Sequence, residues 1–226
     1  MQVSSREKEE DLVEAKIKVQ IAKLFELFQH SFVAKKPISD MHSDGQKIYV
    51  STRNGRISSL STKEIPNLAE NLKRRSSLDD QGNTQSEIEE RSFKIAKKIY
   101  CLTIWKEMIL VGTFDGRIER YSLKGELLSE CKAHKNRVYS LCVFQDLLYS
   151  CSKDHMVGCW DLELNNVDKL CQHTSSVRCL NVWKMKEVLI SAGNDSIILV
   201  WKRGNDNTHQ LVRSLPKKHN LPIMSV

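Results

Sequence analysis

His134-Lys-Asn-Arg-Val138-Tyr-Ser-Leu141, and then Leu147-Leu-Tyr-Ser-Cys-Ser-Lys-Asp-His-Met-Val-Gly-Cys-Trp160, form the stretch on which the fold turns. Val138 opens a strand and has an aliphatic partner three positions on, at Leu141. Asp154 falls 16 residues after Val138, and Trp160 six residues beyond it. Lys153-Asp154-His155 reads as a tight turn between two short strands, Leu147–Ser152 and Met156–Trp160.

Working outward, the spacing returns, at 16 residues from Ile38 and Ile99 and at 18 from Val177. Ile38, Ile99 and Val177 open units like that of Val138, with Met41, Leu102 and Leu180 three positions on. Their turn residues are Asn54, Asp115 and Asp195, and Leu60, Tyr121 and Trp201 stand six beyond. Arg53-Asn54-Gly55, Phe114-Asp115-Gly116 and Asn194-Asp195-Ser196 each join two short strands, Asn-Gly and Asp-Gly tolerating the positive φ that a hairpin needs. Weaker outer strands are expected at Glu126–Cys131, Val167–Cys171 and Gln210–Ser214, and Leu60–Pro66 is expected to close the first unit. Ile223 begins a fifth copy that reaches Val226. A period of about 40 residues with four strands per unit is that of a propeller blade. The expected class is therefore all-β, with residues 37–226 forming an incomplete propeller.

Bulk composition fits. With 40% hydrophobic residues, 9 Gly and 4 Pro in 226 positions, the chain can bury a core. No apolar run approaches a membrane span, and Met1–Asp11 is net acidic without an apolar centre, so neither a membrane segment nor a secretory signal is expected. A cytoplasmic or nuclear chain, or one found in both, follows. The seven Cys contain no C-x-x-C and lie mostly in strands, such as Cys101, Cys142, Cys151, Cys159 and Cys179. They read as reduced, buried hydrophobes, with no metal site and no cofactor.

Two regions break the repeat. Residues 1–36 read as an amphipathic α-helix: Ser4 and Glu7 have capping-box spacing, and Val13, Ile17, Ile21, Leu24 and Phe28 line one face. Glu10 and Glu14 interrupt the heptad register of a coiled coil. The helix either packs on the blades or serves assembly. The second region is a polar insertion at about 62–97, which makes the first two starts 61 residues apart rather than 39. It is expected to be mobile. Within it, Arg74 and Arg75 precede Ser77 at the spacing that basophilic kinases favour, making Ser77 a candidate phosphosite.

These units resemble the WD-repeat β-propeller family, most closely at His134, Val138–Leu141, Leu148–Asp154 and Trp160-Asp161, and then at His173, Val177–Leu180, Leu189–Asp195 and Val200–Lys202. The resemblance implies a buried hydrogen-bonded chain of His134, Ser152 (or Ser150), Asp154 and Trp160, and another of His173, Ser191, Asp195 and Trp201. Those residues are then structural, not a Ser-His-Asp triad. The first two units have Ala34 and Ile95 where the His would stand, and Leu60 and Tyr121 for the Trp, so apolar alternation is expected to hold them.

The resemblance further implies a non-catalytic scaffold or adaptor that recruits protein partners. No P-loop, nucleophile elbow or H-E-x-x-H is present to argue for an enzyme. The partner face is expected at the residue before each turn Asp or Asn: Arg53, Phe114, Lys153 and Asn194. Phe114 is either an anchor for a partner or a lid over the neighbouring hairpin. Self-association through the helix or an open blade edge is a further expectation. The alternative function is an RNA-associated or nuclear factor, resting on a net charge of +7 and on Lys73-Arg74-Arg75.

Overall fold

A computed structural model describes residues 37–61, 91–204, 208–215 and 221–225. The N-terminal helix, its coiled-coil register, Lys73-Arg74-Arg75 and Ser77 lie outside these described residues.

Among the described residues, sixteen strands form four antiparallel sheets. The first holds β1 (Ile38–Ser43), β2 (Lys47–Thr52), β3 (Arg56–Ser61) and β4 (Arg91–Lys94). The second holds β5 (Ile99–Trp105), β6 (Met108–Thr113), β7 (Arg117–Ser122) and β8 (Leu127–Lys132). The third holds β9 (Val138–Phe144), β10 (Leu147–Ser152), β11 (Val157–Trp160) and β12 (Asn166–Leu170). The fourth holds β13 (Val177–Trp183), β14 (Val188–Gly193), β15 (Ile198–Arg203) and β16 (His209–Leu215). Each sheet is a meander in chain order, and the first strands of successive sheets lie side by side, β1 by β5, β5 by β9 and β9 by β13. These are four blades of a partial propeller.

Three apolar layers hold neighbouring blades together. Tyr49, Ile57, Leu102 and Tyr121 pack between the first two blades. Leu110, Ile118, Leu148 and Trp160 pack between the second and third, and Tyr149, Val157, Leu189 and Trp201 between the third and fourth. Blade stacking explains why a second strand such as β10 is buried at every position: both of its faces meet another blade. Outer strands are mostly exposed or half-buried, as β8 is.

One expected strand is displaced. Residues 62–66 of the expected Leu60–Pro66 strand lie outside the described residues; among the described residues the outer strand that pairs with β3 is β4, joining Ile57 to Phe93 and Arg56 to Lys94. Phe93 supplies the reason, since its ring lies 6.0 Å from that of Tyr121 and joins the layer between the first two blades. The insertion therefore separates β3 from β4 inside one blade, and its last part is strand. At the other end, Ile223 donates its backbone N–H to Gly193 O at 3.0 Å, and Ser196 Oγ donates to Leu221 O at 2.8 Å, so the residues opening the fifth copy dock on the fourth blade.

All seven thiols are free, with Cys101, Cys151 and Cys159 almost fully buried and Cys171 exposed. Burial pushes the Cys142 thiol up to about 12 and Cys179 to about 11, away from the reactive thiolate. Among the described residues no group of His, Cys, Asp and Glu is placed to hold a metal ion. No described helix is long and apolar enough to cross a membrane.

Candidate functional site

Two polar constructions occupy the blades, one inside them and one at their end. Inside the third blade, the Trp160 indole N–H donates to Ser150 Oγ at 2.7 Å. Indole can only donate, so the Ser150 hydroxyl hydrogen turns to His134 Nε2, 2.8 Å away. His134 Nδ1–H then donates to Asp154 at 3.1 Å, and Asp154 also accepts the backbone N–H groups of Lys135 and Met156. The fourth blade repeats the relay through Trp201, Ser191, His173 and Asp195 at 2.8, 2.8 and 2.7 Å. The hydroxyl in the third blade is that of Ser150, not Ser152. They stand two positions apart, so they hang on the same face of β10, and only Ser150 lies within reach of the indole N–H. Ser152 instead donates to Asn136 O at 3.1 Å and accepts the N–H of Asp154. Burial opposes the charge on Asp154, yet His134 and the two backbone donors bring its carboxyl down to about 2.

The second blade is not held by apolar alternation alone. Tyr121 O–H donates to Glu119 Oε2 at 2.7 Å, and Lys97 Nζ binds the other oxygen of Glu119 and reaches Glu130 at 2.8 Å. The Glu119 side chain is 1% exposed. A Tyr–Glu–Lys set thus stands where the later blades carry Trp–Ser–His.

The second construction stands where the second strands end and the first strands begin. Four equivalent backbone bonds set it out: Arg53 N–H to Pro37 O, Phe114 to Lys98, Lys153 to Arg137 and Asn194 to Ser176, at 3.2, 2.9, 3.0 and 2.8 Å. The four residues expected before the turns therefore occupy one repeated position, with Arg53, Phe114 and Lys153 exposed and Asn194 half-buried. A second repeat adds to it. Each first strand slips register just after its start, leaving Ser39, Tyr100, Tyr139 and Arg178 as bulged residues without a partner in the ladder. A bulge re-aims its side chain out of the alternation.

Together the two repeats make a stack that runs from blade to blade. Arg53 lies over the Tyr100 ring at 5.6 Å, and Tyr100 meets Phe114 at 5.8 Å and Tyr139 edge-on at 5.6 Å. Arg137 covers Phe114 at 4.2 Å and donates to Tyr100 Oη at 3.3 Å. Arg178 covers Tyr139 at 4.3 Å and donates from Nε to Asn194 Oδ1 at 2.9 Å. Phe114 keeps 40% of its surface in water even so. The residues missed from sequence are Tyr100, Arg137, Tyr139 and Arg178. Their signal was a fixed offset, one residue before or after each strand start, which a reading confined to alternation overlooks.

Residues 125–161 and 164–202 match the family described as WD domain, G-beta repeat. Those two stretches carry WD40 repeats. The first matched repeat opens with β8 of the second blade and ends after β11 of the third, so one sequence repeat ties two blades together.

Among curated proteins the chain is similar to the ribosome biogenesis protein YTM1 of Meyerozyma guilliermondii, 26% identical over 126 residues, covering 51% of this chain and 28% of that protein. Among solved structures it resembles the computationally designed Ika8 protein, with a TM-score of 0.62 at 20% identity over 83% of this chain and 51% of the other. A chain of the mitotic checkpoint complex also gives a TM-score of 0.62, at 16% identity over 81% and 54%. The chain spans less than a third of the curated relative and about half of each solved chain.

Proposed function

We propose that this chain is a non-catalytic interaction platform that holds protein partners within a multiprotein assembly, through the blade end carrying Arg53, Phe114, Lys153 and Asn194. One observation carries the reading: the same backbone bond presents an outward side chain from each of four blades, and one of those side chains is a half-wet Phe. Aromatic and Arg anchors dominate interface energies. The buried relays argue against catalysis. Ser150 is 0% exposed and its hydroxyl lies between an indole donor and a ring acceptor, so no substrate atom can reach it. The similarity to a ribosome biogenesis protein and to a chain of a checkpoint complex supports assembly as the setting.

The second reading is RNA association in the cytoplasm or nucleus, favoured by the net charge of +7 and by the arginines of the stack. Quantitative affinity purification of the parent protein, wild type against a Phe114→Ala/Arg53→Ala variant, tests the platform. The expected result is loss of a defined set of partners with an unchanged melting temperature. Full retention of every partner would move the site to another surface.

A further inference from the structure

We infer that the stack is a docking track for an extended acidic segment of a partner protein, its carboxylates received by Arg137 and Arg178 at the centre and by Arg53 and Lys153 beside them. The inference deepens the platform reading and rests on it for the place of contact.

Three observations converge on carboxylates. First, the cations are unneutralised: among the described residues Arg53, Lys98, Arg137, Lys153 and Arg178 form no ion pair, while Arg117 and Arg120 elsewhere pair with Asp115, Glu130 and Glu163. Second, the arginines are already ordered. Each guanidinium lies against an aromatic face, and Arg178 is further tied to Asn194, so little side-chain freedom remains to be lost on binding. A stacked guanidinium keeps its N–H edge open, and that edge matches a carboxylate in a fork of two bonds. Third, each ring already has a cation over it. Phe114 is approached by Arg137 and by Lys98, and Tyr100 by Arg53 and Arg137. Single-stranded RNA relies on free aromatic faces for its bases. What this surface offers is donors, not platforms, and an acidic peptide uses donors.

The spacing suits an extended chain rather than a single residue. Arg53 at a turn, Arg137 just before a first strand and Arg178 at a bulge belong to the first, third and fourth blades, with Lys98 in the second, so successive acidic side chains of one segment can meet successive blades. Nothing in this arrangement requires a specific apolar side chain, although the open part of Phe114 would accept one.

The test uses the purified full chain at physiological salt, where diffuse attraction is screened. Fluorescence anisotropy follows three labelled probes: a peptide alternating Glu and Gly, its Gln-Gly counterpart and an oligouridine. The expected order is binding of the Glu peptide over the Gln peptide. Arg137→Gln/Arg178→Gln should weaken it by about tenfold or more, and Arg137→Lys/Arg178→Lys by a smaller factor despite unchanged charge, because Lys lacks the planar fork. Lys124→Gln/Lys186→Gln, which removes the same charge from other exposed positions, should leave binding within about twofold.

Equal losses in the Gln pair and in that control would overturn the track, as would equal binding of the two peptides. Oligouridine bound more tightly than the Glu peptide, and lost in the Gln pair, would replace it with nucleic acid. Should the Gln pair fail to fold, the Lys pair carries the test, and full peptide affinity in it would overturn the forked contact. Peptide binding lost in the Gln pair while partner capture ignores Phe114→Ala/Arg53→Ala would support the track and sink the platform reading. Partner capture that depends on Phe114 and Arg53, with no affinity for the Glu peptide, would overturn the track alone.

Discussion

Trp160 and Tyr121 hold the same register in successive blades, opposite Leu148 and Ile109, yet they donate to groups on different strands. The Trp160 N–H crosses to Ser150 on β10, whereas the Tyr121 O–H stays on its own strand and reaches Glu119 two residues away. The exchange is coupled. Where Ser150 would stand in the second blade there is Val111, and where His134 would stand there is Ile95, so no hydroxyl or ring awaits an indole. A buried donor must find a partner, and Glu119 with Lys97 supplies one.

The relay of the third blade should be costly to interrupt at either end. Trp160→Ala should destabilise by about 3–5 kcal/mol through the cavity left between two blades. Ser150→Ala removes few atoms but strands the indole N–H and His134 Nε2, at about 1–3 kcal/mol. Urea denaturation of both variants checks the sizes. A Ser150→Ala variant as stable as wild type would mean that the relay contributes nothing.

The depressed carboxyl of Asp154 predicts acid sensitivity. Its value is 3.8 when unperturbed and about 2 in the fold, so the folded state binds the proton less readily than the unfolded one. The stabilisation it provides is complete above roughly pH 5 and falls away as pH drops toward about 2. Urea midpoints measured across that window should fall less steeply for Asp154→Asn than for wild type. Parallel slopes would assign the acid sensitivity to other carboxylates.

Lys97 shields a buried charge in the second blade. Lys97→Met leaves Glu119 with only the Tyr121 hydroxyl, and should cost about 1–3 kcal/mol. The fourth blade shows how the site can do without ions, because Leu199 stands in the register of Glu119. Lys97→Met/Glu119→Leu/Tyr121→Phe should therefore recover most of the loss in thermal denaturation. A triple variant less stable than the single one would mean that packing, not charge, sets the requirement there.

Much of this architecture was legible in the 16-residue interval from Val138 to Asp154 and its copies, because hairpin turns and alternation are local properties. Three of the four turn positions came from the same interval, and Asp195 from one of 18 residues. What escaped was set by non-local packing. Phe93 could be recognised as part of a strand only once Tyr121 was beside it, across an insertion that local patterning cannot bridge. The choice of Ser150 over Ser152 depends on which hydroxyl lies level with an indole on the neighbouring strand. The bulges that place Tyr100, Tyr139 and Arg178 break alternation by a single residue, which composition does not register.

The turns themselves predict an asymmetry between blades. Gly116 adopts φ +84°, and a Cβ there would sit 2.4 Å from His134 O, where the incoming chain passes close enough for His134 N–H to donate to Gly116 O at 2.9 Å. Gly55 repeats this arrangement with Ile95, at φ +91°. In the third blade the same left-handed position belongs to His155, at φ 73°, and in the fourth to Ser196, at φ 61°. His155 accepts no such bond from the incoming chain among the described residues. Gly116→Ala should therefore cost about 2 kcal/mol or more, combining a left-handed residue with a backbone collision. His155→Gly should change stability by less than about 1 kcal/mol, because relief of the strained φ offsets the added freedom of the unfolded chain. Thermal denaturation of the two variants side by side decides the matter, and similar losses in both would mean that the incoming chain, not the turn, sets the glycine requirement.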